Sequence, residues 1–236
     1  MAFSTKQILT NNLNIGFNVM TCLSFKDRYN LCLTSKSLFE TLFKKYQHNE
    51  IIKIKFEDYR LCDIWKNINF EIKASFLNIS DVSIFKNAYK ISLSGCGNIR
   101  NISSLKNVNI LDLSYTCITD VSMLGNVKEL NLEGNLYIAD VSMLGNVSIL
   151  NLAGCIKIKD VSMLMNVKEL DLSWCYIDSL GDKTQWNCKK LNLAVCNKIV
   201  DISMLKNVEF INLTGCKNVP SYKIEELKKT VKTVLY

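Results

Sequence analysis

A short phrase recurs through most of this 236-residue chain at nearly constant spacing. Its regular copies run Asp-Val-Ser-Met-Leu, then Asn-Val, then Leu-x-Leu and, after two more residues, Cys or Asn. A period of about 20 residues is typical of a solenoid, because one unit cannot bury its apolar face alone and must stack on its neighbours. The chain is therefore predicted to be a stack of coils. The first position of the phrase recurs in steps of 18 to 23 residues, at Asp81, Asn101, Asp120, Asp140, Asp160, Asp178 and Asp201.

Each repeat is predicted to contain one strand and one tight turn. Leu130 and Leu132 alternate with polar neighbours, the period of two that predicts a strand with one buried face. Either Leu136 or Ile138 then returns the chain to the core. Asp140 is expected to accept the backbone N–H groups two and three residues further on, as Asp does at a helix start. The return stroke has room only for a short 3₁₀ segment. Strands are predicted to centre on Leu93, Leu113, Leu132, Leu152, Leu172, Leu193 and Leu213.

The segments Leu130-x-Leu132-x-x-Asn135, Leu150-x-Leu152-x-x-Cys155 and Leu170-x-Leu172-x-x-Cys175 resemble the leucine-rich repeat. The resemblance implies an α/β solenoid with a parallel concave sheet and 3₁₀ turns on the convex side. It also implies that the Cys or Asn side chain hydrogen-bonds backbone in the loop after each strand. Such arrays hold partners and rarely catalyse reactions, so a protein-binding role is expected.

The ten cysteines suggest neither a disulfide scaffold nor a zinc site. No Cys-x-x-Cys pair occurs, and the single His48 cannot complete a Cys/His ligand set. Free thiols in such numbers indicate a reducing compartment. The Asp column lacks the Gly-Gly-x-Gly-x-Asp pattern of calcium-binding repeats, and capping accounts for it more simply. Five cysteines share one repeat position and are predicted to form a buried column of free thiols: Cys96, Cys155, Cys175, Cys196 and Cys216.

The first fifty residues do not follow the repeat and are predicted to form short helices. Within residues 15–42, Leu23-Ser24, Asp27, Ser35-Lys36 and Phe39 stand at a spacing similar to that of the F-box. The chain departs from that family in lacking its opening Leu-Pro, and a plain helical cap on the first coil is the alternative. The resemblance implies binding to a Skp1-like adaptor and its cullin complex through Ile15, Val19, Met20, Leu23, Leu31 and Leu38.

Four segments follow from these patterns. Residues 1–50 are predicted to be the F-box-like helical module, and residues 51–80 the connection and N-terminal capping coil. Residues 81–220 hold the leucine-rich repeats. Residues 221–236 are predicted to form a capping helix and a closing strand, because Ile224, Leu227 and Val231 recur at helical spacing.

Composition and charge narrow the functional classes. The net charge of +7 lies mainly in the two ends, so the nearly neutral repeats argue against a nucleic-acid surface. No apolar run reaches the length of about 20 residues that spans a bilayer, and the N-terminus lacks signal-peptide features. With one histidine and no phosphate-binding Gly-rich loop, neither an enzyme nor a cofactor site is expected. A cytoplasmic or nuclear location is expected.

The predicted target-binding surface is the concave face with its adjoining loops. Its carboxylates indicate a partner of basic character, and Tyr and Trp are typical interface hot spots. Two alternatives remain: the Asn and Asp residues could simply suit close strand stacking, and Trp174 could cover a neighbouring turn. The surface comprises Asp112, Tyr115, Glu129, Asn131, Asn151, Glu169, Asp171, Trp174, Asn192 and Phe210.

These features together predict a substrate-recognition adaptor of a Skp1–cullin–F-box ubiquitin ligase, with the repeats holding an unknown target protein. The Asn-, Ile- and Lys-rich composition and near-identical repeats resemble those in large DNA viruses of amoebae, which implies location in a host cell. The alternative is a leucine-rich-repeat scaffold with a helical cap and no ligase role.

Overall fold

The computed structural model describes residues 52–54, 70–181 and 185–236. The F-box-like segment, with its predicted contacts Ile15, Val19, Met20, Leu23, Leu31 and Leu38, lies outside these residues. Ten strands form one sheet in sequence order, and from the second strand onward each pairs in parallel with the next. The strands are β1 Ile52–Ile54, β2 Phe70–Lys73, β3 Lys90–Ser92, β4 Ile110–Asp112, β5 Glu129–Asn131, β6 Ile149–Asn151, β7 Glu169–Asp171, β8 Lys190–Asn192, β9 Phe210–Asn212 and β10 Thr233–Leu235.

The predicted leucine-rich-repeat solenoid is confirmed by this sheet and by its core. Equivalent residues of successive coils stand side by side, as Leu130 does with Leu150 and Leu150 with Leu170. Both leucines of the Leu-x-Leu segments are buried in each regular coil, and the polar residue between them is half-buried. Period-two alternation therefore places one face of every strand in the core.

The strands lie earlier than predicted. Strands β3 to β9 are each three residues long and centre on the first leucine or isoleucine of the pair, so the prediction of strands centred on the second leucine was wrong. Main-chain pairing does continue past the strand: the Leu113 N–H donates to the Asn131 carbonyl at 2.8 Å, and the Tyr115 N–H to the Glu133 carbonyl at 2.7 Å. The regular strand ends because the chain turns sharply two residues after the second leucine.

Short 3₁₀ turns form the convex side. Asp140 Oδ1 accepts the N–H of Ser142 at 2.9 Å, the first of the two donors predicted. The turn begins at Ser142, so Asp140 precedes it by two residues and closes an Asx turn. Asn101 makes the same contact with its amide oxygen. Six such turns occur in the described ranges: Ser83–Phe85, Ser103–Leu105, Ser122–Leu124, Ser142–Leu144, Ser162–Leu164 and Ser203–Leu205.

The coil that begins at Asp178 is irregular. Asp178 forms an ion pair with Lys198 at 3.1 Å, and it is the Ser179 hydroxyl that accepts the N–H of Gly181. Trp186 fills the core of this coil, and its indole N–H donates to the Leu180 carbonyl at 3.0 Å. Leu180 and Cys188 are also buried in this coil, so the ring joins other apolar side chains of the core.

The C-terminal residues close the stack. A helix spans Ser221–Lys228 and buries Ile224 and Leu227. Strand β10 then pairs with β9, with Val234 beside Ile211. The last coil of the repeats is covered by this helix and strand, the two elements that helical spacing and period had indicated for residues 221–236.

Acid should weaken the regular coils through their Asx turns. The backbone hydrogen bonds from Ser122, Ser142 and Ser162 lower the pKa of Asp120, Asp140 and Asp160 below the ordinary 3.8. Because these pKa values are lowered by folding, the stability that they contribute is present above about pH 4 and is lost as pH falls through them.

The triple variant Asp120→Asn, Asp140→Asn, Asp160→Asn tests this contribution. Asn101 shows that an amide keeps the turn, so the variant should fold. Its urea midpoint at pH 7 should lie modestly below that of wild type, and the two midpoints should converge as pH falls through the lowered pKa values of the three aspartates. Equal acid sensitivity in both proteins would contradict a role for these carboxylates.

Candidate functional site

A column of buried side chains links the coils just beyond the strands. Four of the column thiols donate to the carbonyl of the second leucine in the preceding coil, as Cys155 does to Leu132 and Cys175 to Leu152, both at 3.2 Å. Cys96 donates to the carbonyl of Ala74, which holds the matching position. Burial raises the pKa of the Cys155 thiol to about 12 and that of Cys175 to about 11. These thiols are free, neutral and structural.

Two coils fill the same position with other residues. Asn135 is fully buried and donates to the carbonyls of Leu113 and Leu132, both at 2.8 Å. The Thr116 hydroxyl lies 2.7 Å from the Asn135 side-chain oxygen and 2.8 Å from the Leu113 carbonyl, within donating distance of both acceptors. The sequence pattern of Cys or Asn had missed Thr116, although its place three residues after Leu113 marks it.

The residue before this column adopts a left-handed backbone. Glycine holds the position in several coils, for example Gly134 with φ of +67°. Tyr115 has φ of +54°, Trp174 +62° and Val195 +63°. A side chain in this conformation costs about 1–2 kcal/mol, and a β-branched one is rarer still. Glycine at these positions would relieve the backbone strain. That other side chains are nevertheless present there motivates the hypothesis that they have a function.

The strained aromatic residues point outward and lie along one edge of the sheet. Phe76, with φ of +58°, is 78% exposed, Trp174 63% and Tyr115 56%. The ring of Tyr115 covers Gly134 in the next coil, and its hydroxyl donates to the Glu133 carboxylate. That bond raises the pKa of the Tyr115 hydroxyl.

Further apolar side chains extend this edge. Leu136 is exposed and Ile138 buried, which decides between the two residues proposed to return the chain to the core. The Lys157 ammonium lies 5.1 Å from the centre of the Tyr137 ring. Sequence reasoning selected only Tyr115 and Trp174 here. An aromatic residue in a glycine position was the signal available for Phe76. We call the following set the aromatic edge: Phe76, Tyr115, Leu136, Tyr137, Ile156, Trp174 and Tyr176.

The Asn and Asp side chains of the concave face hold the loops. Their side-chain oxygens accept the N–H two residues on: Asn151 that of Ala153 at 2.9 Å, and Asp171 that of Ser173 at 2.8 Å. These Asx turns favour the structural alternative for this row of residues. The same contact is made by Asp112, Asn131 and Asn192.

The first outward row of the sheet is less constrained. Glu169 pairs with Lys190 of the next coil at 3.0 Å. Glu129 makes no hydrogen bond or ion pair with any side chain in the described part of the chain, and Ile149 beside it is 41% exposed. Phe210 is half-buried at the far end of the row. The predicted residues therefore divide between loop supports and accessible groups.

No protein-family model matches this chain, and no curated protein sequence is similar to it. Solved structures are similar in fold. An internalin (InlF) from Listeria monocytogenes superposes with a TM-score of 0.53 at 23% identity, over 63% of this chain and 48% of that one. Internalin C2 from the same organism gives 0.53 at 23%, over 68% and 76%.

The functional domain of InlJ, also from Listeria monocytogenes and described as including a cysteine ladder, gives a TM-score of 0.50 at 18% identity. The alignment covers 64% of this chain and 36% of that domain. The chain thus spans about half of the InlF structure and about a third of the InlJ domain. At these identities the similarity shows the leucine-rich-repeat fold alone.

Within the described ranges, no three His, Cys, Asp or Glu side chains are grouped so as to hold a metal ion. Among the same residues, no helix is both long and apolar enough to cross a bilayer.

The packing of the Tyr115 ring on Gly134 can be tested by replacing the glycine with alanine, which adds one methyl group. A Cβ added at Gly134 would lie 2.5 Å from the Tyr115 ring, whereas one at Gly154, with nearly the same φ, would meet nothing closer than 3.8 Å. Both alanine variants carry the cost of a left-handed backbone. Gly134→Ala should lose roughly 1 kcal/mol more in urea unfolding, because overpacking is added.

The difference should vanish when Tyr115→Ala is introduced into both backgrounds. Equal losses in the two single variants would show that the ring does not rest on Gly134.

The buried thiols should resist alkylation. Cys155 and Cys196, each with a pKa raised to about 12 by burial, should react with iodoacetamide roughly a hundredfold more slowly near pH 8 than the partly exposed Cys117. Peptide mass mapping would give the rate for each site, and concentrated urea should equalise them. Rapid native labelling of Cys155 would contradict the buried column.

Proposed function

We propose that this chain is a non-enzymatic adaptor that holds a target protein on its repeats and presents it to a ubiquitin ligase. Residues 15–42 would bind a Skp1-like adaptor and, through it, a cullin complex. The observation that carries the target-binding half is the aromatic edge, in which the exposed rings of Phe76, Tyr115 and Trp174 occupy strained positions that glycine fills in neighbouring coils.

Physical reasoning supports binding at this edge. Exposed Trp and Tyr side chains supply large apolar area with few rotatable bonds, and they dominate the energetics of many interfaces. A contiguous apolar patch on a folded surface is itself a mark of an interaction site. Trp174 and Tyr115 stand about three coils apart, roughly 14 Å at the usual strand separation. A partner contacting both would span the middle of the array.

The ligase half rests on the F-box resemblance. Ile15, Val19, Met20, Leu23, Leu31 and Leu38 are placed by the motif on apolar helix faces, which bind partner helices or grooves by burying them. Such an adaptor would act in the cytoplasm or nucleus, where free cysteines persist. The composition resembles that of large DNA viruses of amoebae, in which case the ligase belongs to the host.

One sequence feature favours a second function. The stretch Asn11–Asn14 replaces the Leu-Pro that opens the F-box. A leucine-rich-repeat scaffold with a helical cap and no ligase role is therefore the competing proposal. Both proposals assign the same target-binding edge, so Skp1 capture separates them.

Purified full-length protein and purified Skp1 provide the test. Wild type should bind Skp1 at micromolar concentration in a pull-down and by calorimetry. Met20→Asp with Leu23→Asp should abolish capture, because burying an unpaired charge costs several kcal/mol. Trp174→Ala should leave the affinity for Skp1 unchanged and should weaken the affinity for the target protein by about tenfold or more.

Circular dichroism and thermal unfolding of each variant would show that the solenoid stays folded. If wild type fails to bind Skp1, the ligase role fails and the scaffold is preferred. If Trp174→Ala weakens Skp1 binding as much as target binding, the assignment of Skp1 to residues 15–42 and of the target to the repeats is wrong.

A further inference from the structure

We propose that the concave face beside the aromatic edge binds an extended protein segment whose Lys or Arg side chain pairs with Glu129. This inference rests on the proposed target-binding role of the repeats and names the chemistry of the partner.

The charge pattern of the sheet is the first argument. Outward positions on and just after strands β4 to β7 carry no Lys or Arg. The chain as a whole has a net charge of +7, so an acidic face is not a consequence of overall composition. A cationic partner would be attracted to this face. The carboxylates of the face are Asp112, Glu129, Glu133, Glu169 and Asp171.

The array also shows how its own glutamates are neutralised. Glu71 on β2 pairs with Lys90 at the matching position of β3, at 3.4 Å. Glu169 on β7 pairs with Lys190 at the matching position of β8. In both cases the cation stands one strand further along the same row.

Glu129 breaks this rule. The matching position on the next strand is Ile149, which cannot neutralise it. Other carboxylates of the face are engaged within the chain: Glu133 accepts from Tyr115 and Asn151. Glu129 therefore stands in the same row as the two paired glutamates, but no ion-pair partner for it is found among the described residues.

The surroundings of Glu129 suit a long basic side chain. Ile110 and Ile149 stand beside it on the neighbouring strands, one half-buried and the other exposed. Lys and Arg lay their aliphatic stems along apolar surface and keep the charged end near a carboxylate. A segment running across the strands advances about 3.3 Å per residue, against about 4.8 Å per strand.

Variants that add or remove ion pairs between neighbouring strands supply the test. Ile149→Lys recreates the Glu169–Lys190 arrangement and should neutralise Glu129 from within. Glu129→Gln removes the charge without breaking a described contact. Lys190→Met releases Glu169 and adds a second free carboxylate. Glu226→Gln, an exposed glutamate on the C-terminal helix, is the matched control.

The probe is a phage-displayed library of random dodecapeptides selected on the full chain, followed by fluorescence anisotropy of synthetic winners. Lys or Arg should be enriched in the selected pool. Glu129→Gln and Ile149→Lys should each weaken binding about tenfold, and Lys190→Met should tighten it severalfold. Glu226→Gln should change nothing.

A pool without Lys or Arg enrichment, an empty pool, or equal binding by wild type and Glu129→Gln would overturn the proposal. Skp1 capture by the same preparations separates the two proposals. Loss of Skp1 binding with intact peptide binding refutes only the ligase role, and the reverse refutes only the Glu129 site.

Discussion

The hydrogen bond from one coil's column residue to the preceding coil's carbonyl is the contact on which the stack depends. The chain leaves its strand at the second leucine, where a carbonyl such as that of Leu132 enters the core region. A buried carbonyl without a donor costs about 1–3 kcal/mol. The Leu132 carbonyl accepts from the Cys155 thiol at 3.2 Å, from the Asn135 side chain at 2.8 Å and from the Asn135 backbone N–H at 3.3 Å. The column residue therefore ties the loop of its own coil to the strand end of the coil before it.

The periodicity of the sequence predicted the architecture well and its details less well. The leucine spacing identifies the buried face, because side chains alternate between the two faces of a strand and only one register places all the leucines in the core. Strand ends depend on backbone angles, which a Leu-x-Leu segment does not report. The choice between Leu136 and Ile138 depended on the direction of a turn, and both residues are apolar. Thr116 was missed because a hydroxyl can replace a thiol or an amide as donor.

The candidate site was predicted in part. Tyr115 and Trp174 were identifiable as aromatic residues after a strand, but their left-handed backbone was missed, although Gly134 and Gly154 at the matching repeat position indicate it. The Asn and Asp row illustrates the opposite limit. Asn151 looks available in sequence, yet its oxygen closes an Asx turn. The amide of an Asn side chain uses the same atoms to hydrogen-bond a ligand or its own backbone, so only the geometry of the structure distinguishes the two roles.

The repeat period fixes where rings can stand along the aromatic edge. The rings of Tyr115 and Phe76 lie over Gly134 and Gly95 of the next coil, whereas Val195 holds that position after Trp174. Each ring belongs to one coil, and Tyr115 and Trp174 stand three coils apart, about 14 Å at the ordinary strand spacing. A repeat protein that gains or loses whole coils can thus move its anchors only in steps, which limits the ligand geometries open to it by duplication.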